Sequence, residues 1–382
     1  PNVRWAWRLK SRGHRVIFNE EQTMLQDTLR SFLADNAPVS DLRALRANPD
    51  GPAYNEDLWQ QLVELGIPGI ALSESDGGLG FGYMGLAAVL HEMGRNLVAS
   101  PVVSSVALAS SLIQLAGDES QKTQWLPRLA RGEITATVAV QEGRQFALES
   151  LATRFDKGEL SGHKTLVMDA RESEITLVIA VTDDERLMAA IIPSLEHAAS
   201  SDRYKLMDGR TFSDIELGGL RVPKEALIGA DGGCHNAIAK ALDIGTLAIS
   251  AEMIGGAESL LERTVAHLND REQFDVKLAT FQALQHRCAE LYCQLELARS
   301  AVLSAFTRLD RGQDILRAAS QCKALANDCY LTTSNEAVQM HGGMGITDEL
   351  DIGLYLKRSR VCNQLLGDSS YHRDRYAKAG SL

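Results

Sequence analysis

A glycine-rich run near the C-terminus, residues 339–349 (QMHGGMGITDE), has the residue types and spacing of a ligand-binding turn. Gly342, Gly343 and Gly345 carry no side chain, so backbone N–H groups there can approach an anionic or polar ligand closely. Arg271 offers a planar fork of donors that suits a phosphate group. The plainer alternatives are a turn that ends a helix, for the glycines, and a solvated helix end, for the arginine.

Two carboxylates are candidates for a general base. Asp368 follows Gly367 close to the C-terminus, although an Asp-Ser-Ser sequence is also typical of a helix N-cap. Glu252 lies on a long predicted helix among apolar residues, where a carboxylate has to be paired or neutralised. A buried structural ion pair is therefore the alternative for Glu252. We expect His372, beside Arg373 in a charged terminal segment, to lie at the surface.

The cysteines do not form a metal-binding pattern, because the sequence contains no CxxC or CxH spacing. We therefore predict no metal site and six reduced thiols, as is typical of a cytoplasmic protein. The cysteines are Cys234, Cys288, Cys293, Cys322, Cys329 and Cys362.

The composition excludes several classes of protein. Asp and Glu (50) outnumber Lys and Arg (39), and a net charge of −11 disfavours a nucleic-acid binder. With 45% hydrophobic and 23% charged residues, the composition is that of a globular protein. No stretch approaches the ~18 consecutive apolar residues of a membrane span. The length of 382 residues predicts two or three domains.

Residues 1–17 are basic and lack the apolar core and the cleavage site of a secretory signal. We interpret them as a leader or an appended segment outside the fold. The alternative is a basic arm that docks on a partner.

The apolar pattern divides the rest of the chain into three domains. Helical periodicity runs through residues 18–132, short β-branched runs separated by turns occupy residues 133–232, and long helices return over 233–382. Because helices and strands are segregated, we predict an α+β fold. It consists of an N-terminal helical domain, a middle antiparallel β-barrel or sandwich domain and a C-terminal four-helix bundle.

This order, at this length, resembles the acyl-CoA dehydrogenase family from about residue 18 to the C-terminus. Residues 339–349 look like the family's C-terminal flavin signature, and residues 221–229 (RVPKEALIG) resemble the strand that leaves its β domain. Residues 271–274 (REQF), followed by FQ at 281–282, are similar to its Arg-x-x-Phe-Gly…Gln element. The resemblance assigns cofactor-binding roles to Arg271, Phe274, Gln282, Gln339, Gly342, Gly343 and Gly345.

The resemblance implies an FAD-dependent enzyme of lipid or steroid degradation, which desaturates an acyl-CoA thioester between its α and β carbons. A buried carboxylate removes the α proton while hydride passes to the flavin. The resemblance also implies a dimer of dimers, in which each subunit's motifs reach the neighbour's FAD, and an electron-transfer flavoprotein as electron acceptor. Asp243 is expected to approach the substrate's pantetheine arm; the alternative is a charge at a helix start.

The sequence departs from the family at both known base positions. Leu366 stands where most members have the catalytic Glu, and Gly245 stands where a second branch has it. The loop that meets the flavin ring is matched only by residues 141–143, and the family's Trp-Ile-Thr is matched by residues 166–168 (LVM). The half of the site that a subunit makes for its own flavin is eroded, whereas the half lent to the neighbour is kept.

This pattern favours a heteromeric α2β2 enzyme in which a homologous partner supplies the flavin ring's pocket and the catalytic Glu. Because family members that act on steroid side-chain CoA thioesters resemble such assemblies, we expect a steroid-derived acyl group. Two alternatives stay open. One is a self-sufficient homotetramer that uses Asp368 or Glu252 as its base. The other is a non-catalytic subunit that stabilises a true dehydrogenase.

Overall fold

The computed structural model describes residues 19–193, 195, 200–229 and 233–380, and it places helices, then strands, then helices along the chain. The α+β fold class is therefore confirmed. The interpretation of residues 1–17 lies outside the described residues and stays a prediction.

The N-terminal region is helical because its apolar residues recur at helical spacing between good caps. The Asn19 side chain accepts the backbone N–H of Gln22 at 2.7 Å, and the Gln22 side chain accepts that of Asn19. The segment that follows Pro101 begins as a π-helix and continues as an α-helix. The elements are α1 (Glu20–Asn36), α2 (Val39–Ala47), α3 (Glu56–Glu64), α4 (Gly82–Arg95), the π-helix (Val102–Ala109), α5 (Ser110–Ala116) and α6 (Glu119–Ala130).

The middle region is a sandwich of two sheets. The larger sheet has the order β10-β6-β5-β2-β3-β9 with β1 also on β5, and the smaller has the order β4-β8-β7. Apolar side chains of β5, such as Val178, meet Val167 of β4 and Ile215 of β8 in a core between the sheets. The strands are β1 (Ala136–Ala139), β2 (Arg154–Asp156), β3 (Glu159–Ser161), β4 (His163–Met168), β5 (Ile175–Thr182), β6 (Leu187–Ile192), β7 (Ser200–Lys205), β8 (Thr211–Glu216), β9 (Leu220–Arg221) and β10 (Leu227–Ile228).

Two strand pairs are parallel, whereas the sequence predicted an antiparallel domain. Strand β1 pairs with residues 175–178 of β5, and β2 pairs with residues 181–182 of the same strand. The two strands thus follow one another along one edge of β5, since the chain leaves that edge after β1 and returns to it at β2. The intervening segment, residues 140–153, forms a loop that reaches the helical bundle.

The C-terminal region is a bundle around α7, which is buried over most of its circumference and packs on both α9 and α4. Its elements are α7 (His235–Asp270), β11 (Glu272–Gln273), β12 (Val276–Lys277), α8 (Gln282–Asp310), α9 (Leu316–His341), α10 (Ile352–Gln364) and α11 (Ser369–Ala379). Among the helices that the structure describes, none combines the length and apolar character required to cross a bilayer.

Candidate active site

A cavity of about 530 Å³ lies between α7, α11 and the loop of residues 140–153. Its walls include three apolar side chains from these elements and from the turn between α10 and α11, namely Phe146, Leu242 and Leu366. Charged side chains, including Asp243 and Arg375, complete the lining. The cavity therefore suits a ligand with an apolar body and polar groups.

The structure brings the two family base positions together. A Cβ built on Gly245 would lie 3.1 Å from Leu366 Cδ1 and only 2.2 Å from Leu108 Cδ2, a side chain of the π-helix. Both positions thus face the same space, which these two leucine side chains occupy. None of the three residues can take up a proton there, and sequence patterns gave no signal for Leu108.

The turn that carries Leu366 is held by two buried side chains. Leu366 and Gly367 have φ angles of 54° and 107°, and the Leu366 carbonyl accepts a hydrogen bond from His372 Nε2 at 3.0 Å. Lys323 Nζ donates to the carbonyls of Cys362 at 2.9 Å and Gly367 at 3.0 Å. Burial lowers the pKa of Lys323 to about 7. The prediction that His372 lies at the surface is wrong, because α11 turns it inward; burial, together with Lys323, lowers its pKa to about 3.

Asp368 caps α11, since its carboxylate accepts the backbone N–H of Tyr371 at 2.9 Å. This is the arrangement of the capping alternative. The cavity wall next to it is formed by Leu366 and Tyr371. A base role for Asp368 would require the carboxylate to leave its cap.

Glu252 lies in a buried cluster of four charged side chains. Its Oε1 accepts from Arg358 Nη1 at 2.7 Å and from Arg210 Nη2 at 3.2 Å, and both arginines also pair with Asp208. Glu252 is 4% exposed and is not part of the cavity lining. This geometry matches the structural ion pair rather than a base.

Asp243 faces the cavity, but its carboxylate is engaged by Arg375 in a two-pronged ion pair. Burial raises the pKa of Asp243, and the nearby guanidinium opposes that shift. The sequence did not predict that Arg375 reaches the cavity, because this residue lies in a charged helix whose inward face cannot be identified from residue spacing alone.

The segment expected to contact a flavin ring, residues 141–143, forms its hydrogen bonds and ion pair with groups of this chain. Glu142 pairs with Lys164, which is fully buried and whose pKa burial lowers to about 8. Gln141 Nε2 donates to the Gly143 carbonyl at 2.9 Å. On the adjacent strand β4, Met168 stands at the position of the family's hydroxyl. These residues present no hydroxyl or indole toward a ring, so they do not fit the isoalloxazine of FAD.

Most of the residues expected to contact a neighbour's cofactor are exposed at the other end of α7. His267 and His341 stack with ring centroids 4.1 Å apart, which places Arg271 after α7 and Gly342 after α9 on the same surface. Within the described residues, the exposed side chains of Arg271, Gln282 and Gln339 make no hydrogen bond or ion pair. Free donors of this kind fit the phosphate and adenosine part of a cofactor held by another chain.

The three glycines of this turn differ in how much space surrounds the position of a Cβ atom. Gly342 adopts φ 61° and ψ −142°, which only glycine adopts readily, and nothing lies within 4 Å of a Cβ built there or on Gly343. Gly345 is buried, and its Cβ would meet the Val338 carbonyl at 2.6 Å. The first two glycines therefore leave open space for a partner, whereas the third allows the turn to pack.

An apolar patch surrounds these donors. Phe274, at the tip of the β11–β12 hairpin, is 84% exposed with φ 55°, and Ile346 is 80% exposed. A bulky residue held at positive φ and in water is strained and poorly placed in a lone chain. The patch is typical of a surface that another chain covers.

In the described part of the chain, no group of three His, Cys, Asp or Glu side chains is placed to hold a metal ion. The six cysteines are free thiols.

Comparison with known proteins assigns the outer domains. The model of the acyl-CoA dehydrogenase N-terminal domain matches residues 19–133, and that of the C-terminal domain matches residues 231–380. The chain is 28% identical to the caffeyl-CoA reductase-Etf complex subunit CarC of Acetobacterium woodii, over 91% of this chain and 94% of that protein. It is 26% identical to the mitochondrial short-chain specific acyl-CoA dehydrogenase of Rattus norvegicus, over 96% and 91% respectively.

Among solved structures, a variant of the steroid ACAD Tcur3481-Tcur3483 superposes with a TM-score of 0.84 and 26% sequence identity. That match covers 95% of this chain and 99% of the other.

Proposed function

Because this chain belongs to the acyl-CoA dehydrogenase family, we propose that it is one subunit of a heteromeric FAD-dependent enzyme that desaturates an acyl-CoA thioester. A homologous partner chain holds the flavin ring and supplies the catalytic carboxylate. Family members are flavoprotein oxidoreductases that act on acyl-CoA substrates.

One observation carries the proposal: both base positions are apolar and in contact. Leu366 and Leu108 fill the space over Gly245, where proton abstraction has to take place. The two candidate carboxylates are engaged elsewhere, Asp368 as a helix cap and Glu252 in its charge cluster, and Asp243 in the cavity wall is paired with Arg375. We therefore infer that the base comes from another chain.

This chain's own contribution is to bind and orient the cofactor's phosphate end. When bound, FAD takes up the hydride that leaves the β carbon of the thioester. Arg271 would donate to a phosphate oxygen, and the amides of Gln282 and Gln339 would bond polar groups of the same end. Backbone N–H groups at Gly342 and Gly343 can approach the ligand without a side chain between. The 141–143 and 166–168 segments of this chain fit no ring, so that role falls to the partner.

The substrate and the electron acceptor follow from the relatives. The steroid ACAD Tcur3481-Tcur3483 supports a steroid-derived acyl-CoA, and CarC, a subunit of an Etf complex, supports an electron-transfer flavoprotein as acceptor. The free thiols agree with a reducing compartment, and we place the enzyme in the cytoplasm.

The test is expression of the chain alone and together with a homologous chain that carries the missing Glu. Flavin absorbance and native mass are measured for each. We expect little bound flavin in the chain alone, and an assembly of two chains of each kind with about one flavin per two chains. Arg271→Ala in the assembly should lower flavin retention, whereas Arg221→Ala, an exposed arginine of the middle domain, should not.

Each contrary result points to one alternative. A yellow homotetramer with one flavin per chain would overturn the proposal, and Asp368→Asn and Glu252→Gln would then be assayed for loss of turnover. A heteromeric assembly that retains as much flavin in the Arg271→Ala variant as in the wild type would indicate a non-catalytic stabilising subunit instead.

A further inference from the structure

We propose that the ion pair between Asp243 and Arg375, here named the crossbar, closes this chain's cavity to the pantetheine arm of a CoA thioester. The inference rests on the proposed function and deepens it, because it makes the partner's cavity the one that takes substrate. Arg375 thereby becomes a residue that decides which chain of the pair binds CoA.

The crossbar joins two elements that border the cavity. Asp243 belongs to α7 and Arg375 to α11, and α11 packs chiefly on α9 rather than on α7. The cavity occupies the gap between α11 and α7, and both residues are part of its lining. Because the ion pair joins the two helices at the cavity wall, it lies where a ligand in the cavity would have to contact Asp243.

Both ends of the crossbar are firmly held. Arg375 Nη2 donates to Asp243 Oδ2 at 3.0 Å, its Nη1 donates to the other carboxylate oxygen, and Nη1 also reaches Ser320 Oγ at 3.3 Å. Asp243 is 4% exposed, so its carboxylate accepts from Arg375 in place of water. A bidentate pair of this kind fixes the guanidinium in one orientation.

A ligand that used Asp243 would have to break this pair. The amide N–H groups of a pantetheine arm are neutral donors, so one such group would replace a bidentate ion pair with a single hydrogen bond to the carboxylate. Replacing the guanidinium by such a donor would separate the Asp243 carboxylate from the Arg375 guanidinium and leave both charges unpaired in a largely buried place. Asp243, the expected substrate contact, therefore bonds to Arg375 of its own chain instead of to a substrate.

The other polar and charged side chains that line the cavity do not replace either partner of this ion pair. Glu149, Asp374, Lys378 and His235 also line it, and Lys378 is itself paired with Asp374. Burial lowers the pKa of Arg375, but the ion pair with Asp243 outweighs that effect and raises the pKa, and Tyr371 and Glu149 add smaller raising effects. The surroundings thus keep the guanidinium charged and in place.

The experiment counts CoA sites on the heteromeric assembly. Coenzyme A without an acyl group is titrated by calorimetry into the wild type, Arg375→Gln and Asp243→Asn, and flavin content and native mass are measured on the same samples. We expect one CoA per two chains in the wild type. We expect a second CoA in each variant, bound at least tenfold more tightly than any second site of the wild type.

A matched control comes from the same helix. Arg373 forms an ion pair with Asp328 at the surface of the bundle, so Arg373→Gln should leave the stoichiometry at one CoA per two chains. Should either single variant fail to assemble, the double variant Asp243→Asn/Arg375→Gln removes both charges together and is titrated in its place.

Two results would overturn the inference. One is a wild-type assembly that binds one CoA per chain. The other is a set of variants that assemble with normal flavin content and stay at one CoA per two chains. The flavin ratio alone tests the proposed function, so a normal ratio with unchanged CoA stoichiometry rejects the crossbar and leaves the heteromeric enzyme standing.

Discussion

At the scale of single residues, the space expected to hold the reacting atoms is defined by the packing of two leucine side chains against a glycine. Gly245 has no Cβ, and the room that a Cβ would need is taken by Leu108 and Leu366. Leu366 accepts a positive φ to reach this place, which costs a non-glycine residue about 1–2 kcal/mol. The three residues form one packed unit, so a base cannot be added at Gly245 alone.

We predict that Gly245→Glu destabilises the protein by at least about 3 kcal/mol, because the new side chain would overlap Leu108 and bury an unpaired carboxylate. Gly245→Glu/Leu108→Ala should recover part of that loss, since Leu108→Ala vacates the space. The measurement is the midpoint of urea unfolding. If the single variant is as stable as wild type, Leu108 does not occupy the space described here.

At the scale of elements, the turn between α10 and α11 depends on a lysine from a third helix. Lys323 of α9 donates to the carbonyls of Cys362, Asn363 and Gly367, and to Asn327 Oδ1. A cation at the carboxyl end of α10 is favourably placed with respect to the helix dipole. The ammonium is fully buried, and no carboxylate of the described residues contacts it, so the same group also carries a desolvation cost.

This arrangement predicts a pH dependence. Burial lowers the pKa of Lys323 to about 7 in the fold, against about 10.5 in the unfolded chain. Between these values the Lys323 side chain binds more protons in the unfolded chain, so its contribution to stability rises with pH from 7 to 10. Relative to Lys323→Met, which does not titrate, wild type should gain about 1–3 kcal/mol over that range.

The check is urea unfolding of both proteins at pH 7 and pH 10. Lys157→Met serves as a control, because Lys157 is an exposed lysine of the β2–β3 turn and should show no such gain. An equal pH response of wild type and Lys323→Met would show that the buried amine does not titrate in this window.

At the scale of the whole molecule, the buried charge cluster around Glu252 joins all three domains. Asp208 and Arg210 belong to the turn between β7 and β8, Glu252 belongs to α7, and Arg358 belongs to α10. Arg358 also donates to a carbonyl of the N-terminal region, that of Val98, at 3.5 Å. The cluster therefore fixes the middle domain against both helical regions, and with it the geometry of the cavity.

We predict that Arg358→Leu lowers the free energy of unfolding by about 3–5 kcal/mol, since it leaves Asp208 and Glu252 with one guanidinium in a buried place. Arg360→Leu, on the exposed face of the same helix, should cost well under about 1 kcal/mol. Thermal unfolding followed by circular dichroism compares the two. A loss below about 1 kcal/mol for Arg358→Leu would show that the three domains are held without this cluster.

The sequence by itself determined the order of the helical and β regions, the long helices and the turn that ends α9. These rest on local signals: helical periodicity, the Asn19 cap, and the glycine turn after residue 339, each of which acts within a few residues. The absence of a base at Leu366 and Gly245 was also readable, because it is a matter of residue type alone.

Only the tertiary structure decided what the remaining charged residues do. Arg375 reaches Asp243, and Arg358 reaches Glu252, across more than a hundred residues of sequence. The parallel pairing of β1 and β2 on one edge of β5 is likewise set by distant segments. A sequence pattern gives the face on which a residue lies but not the element that packs there, and burial and pairing depend on that element.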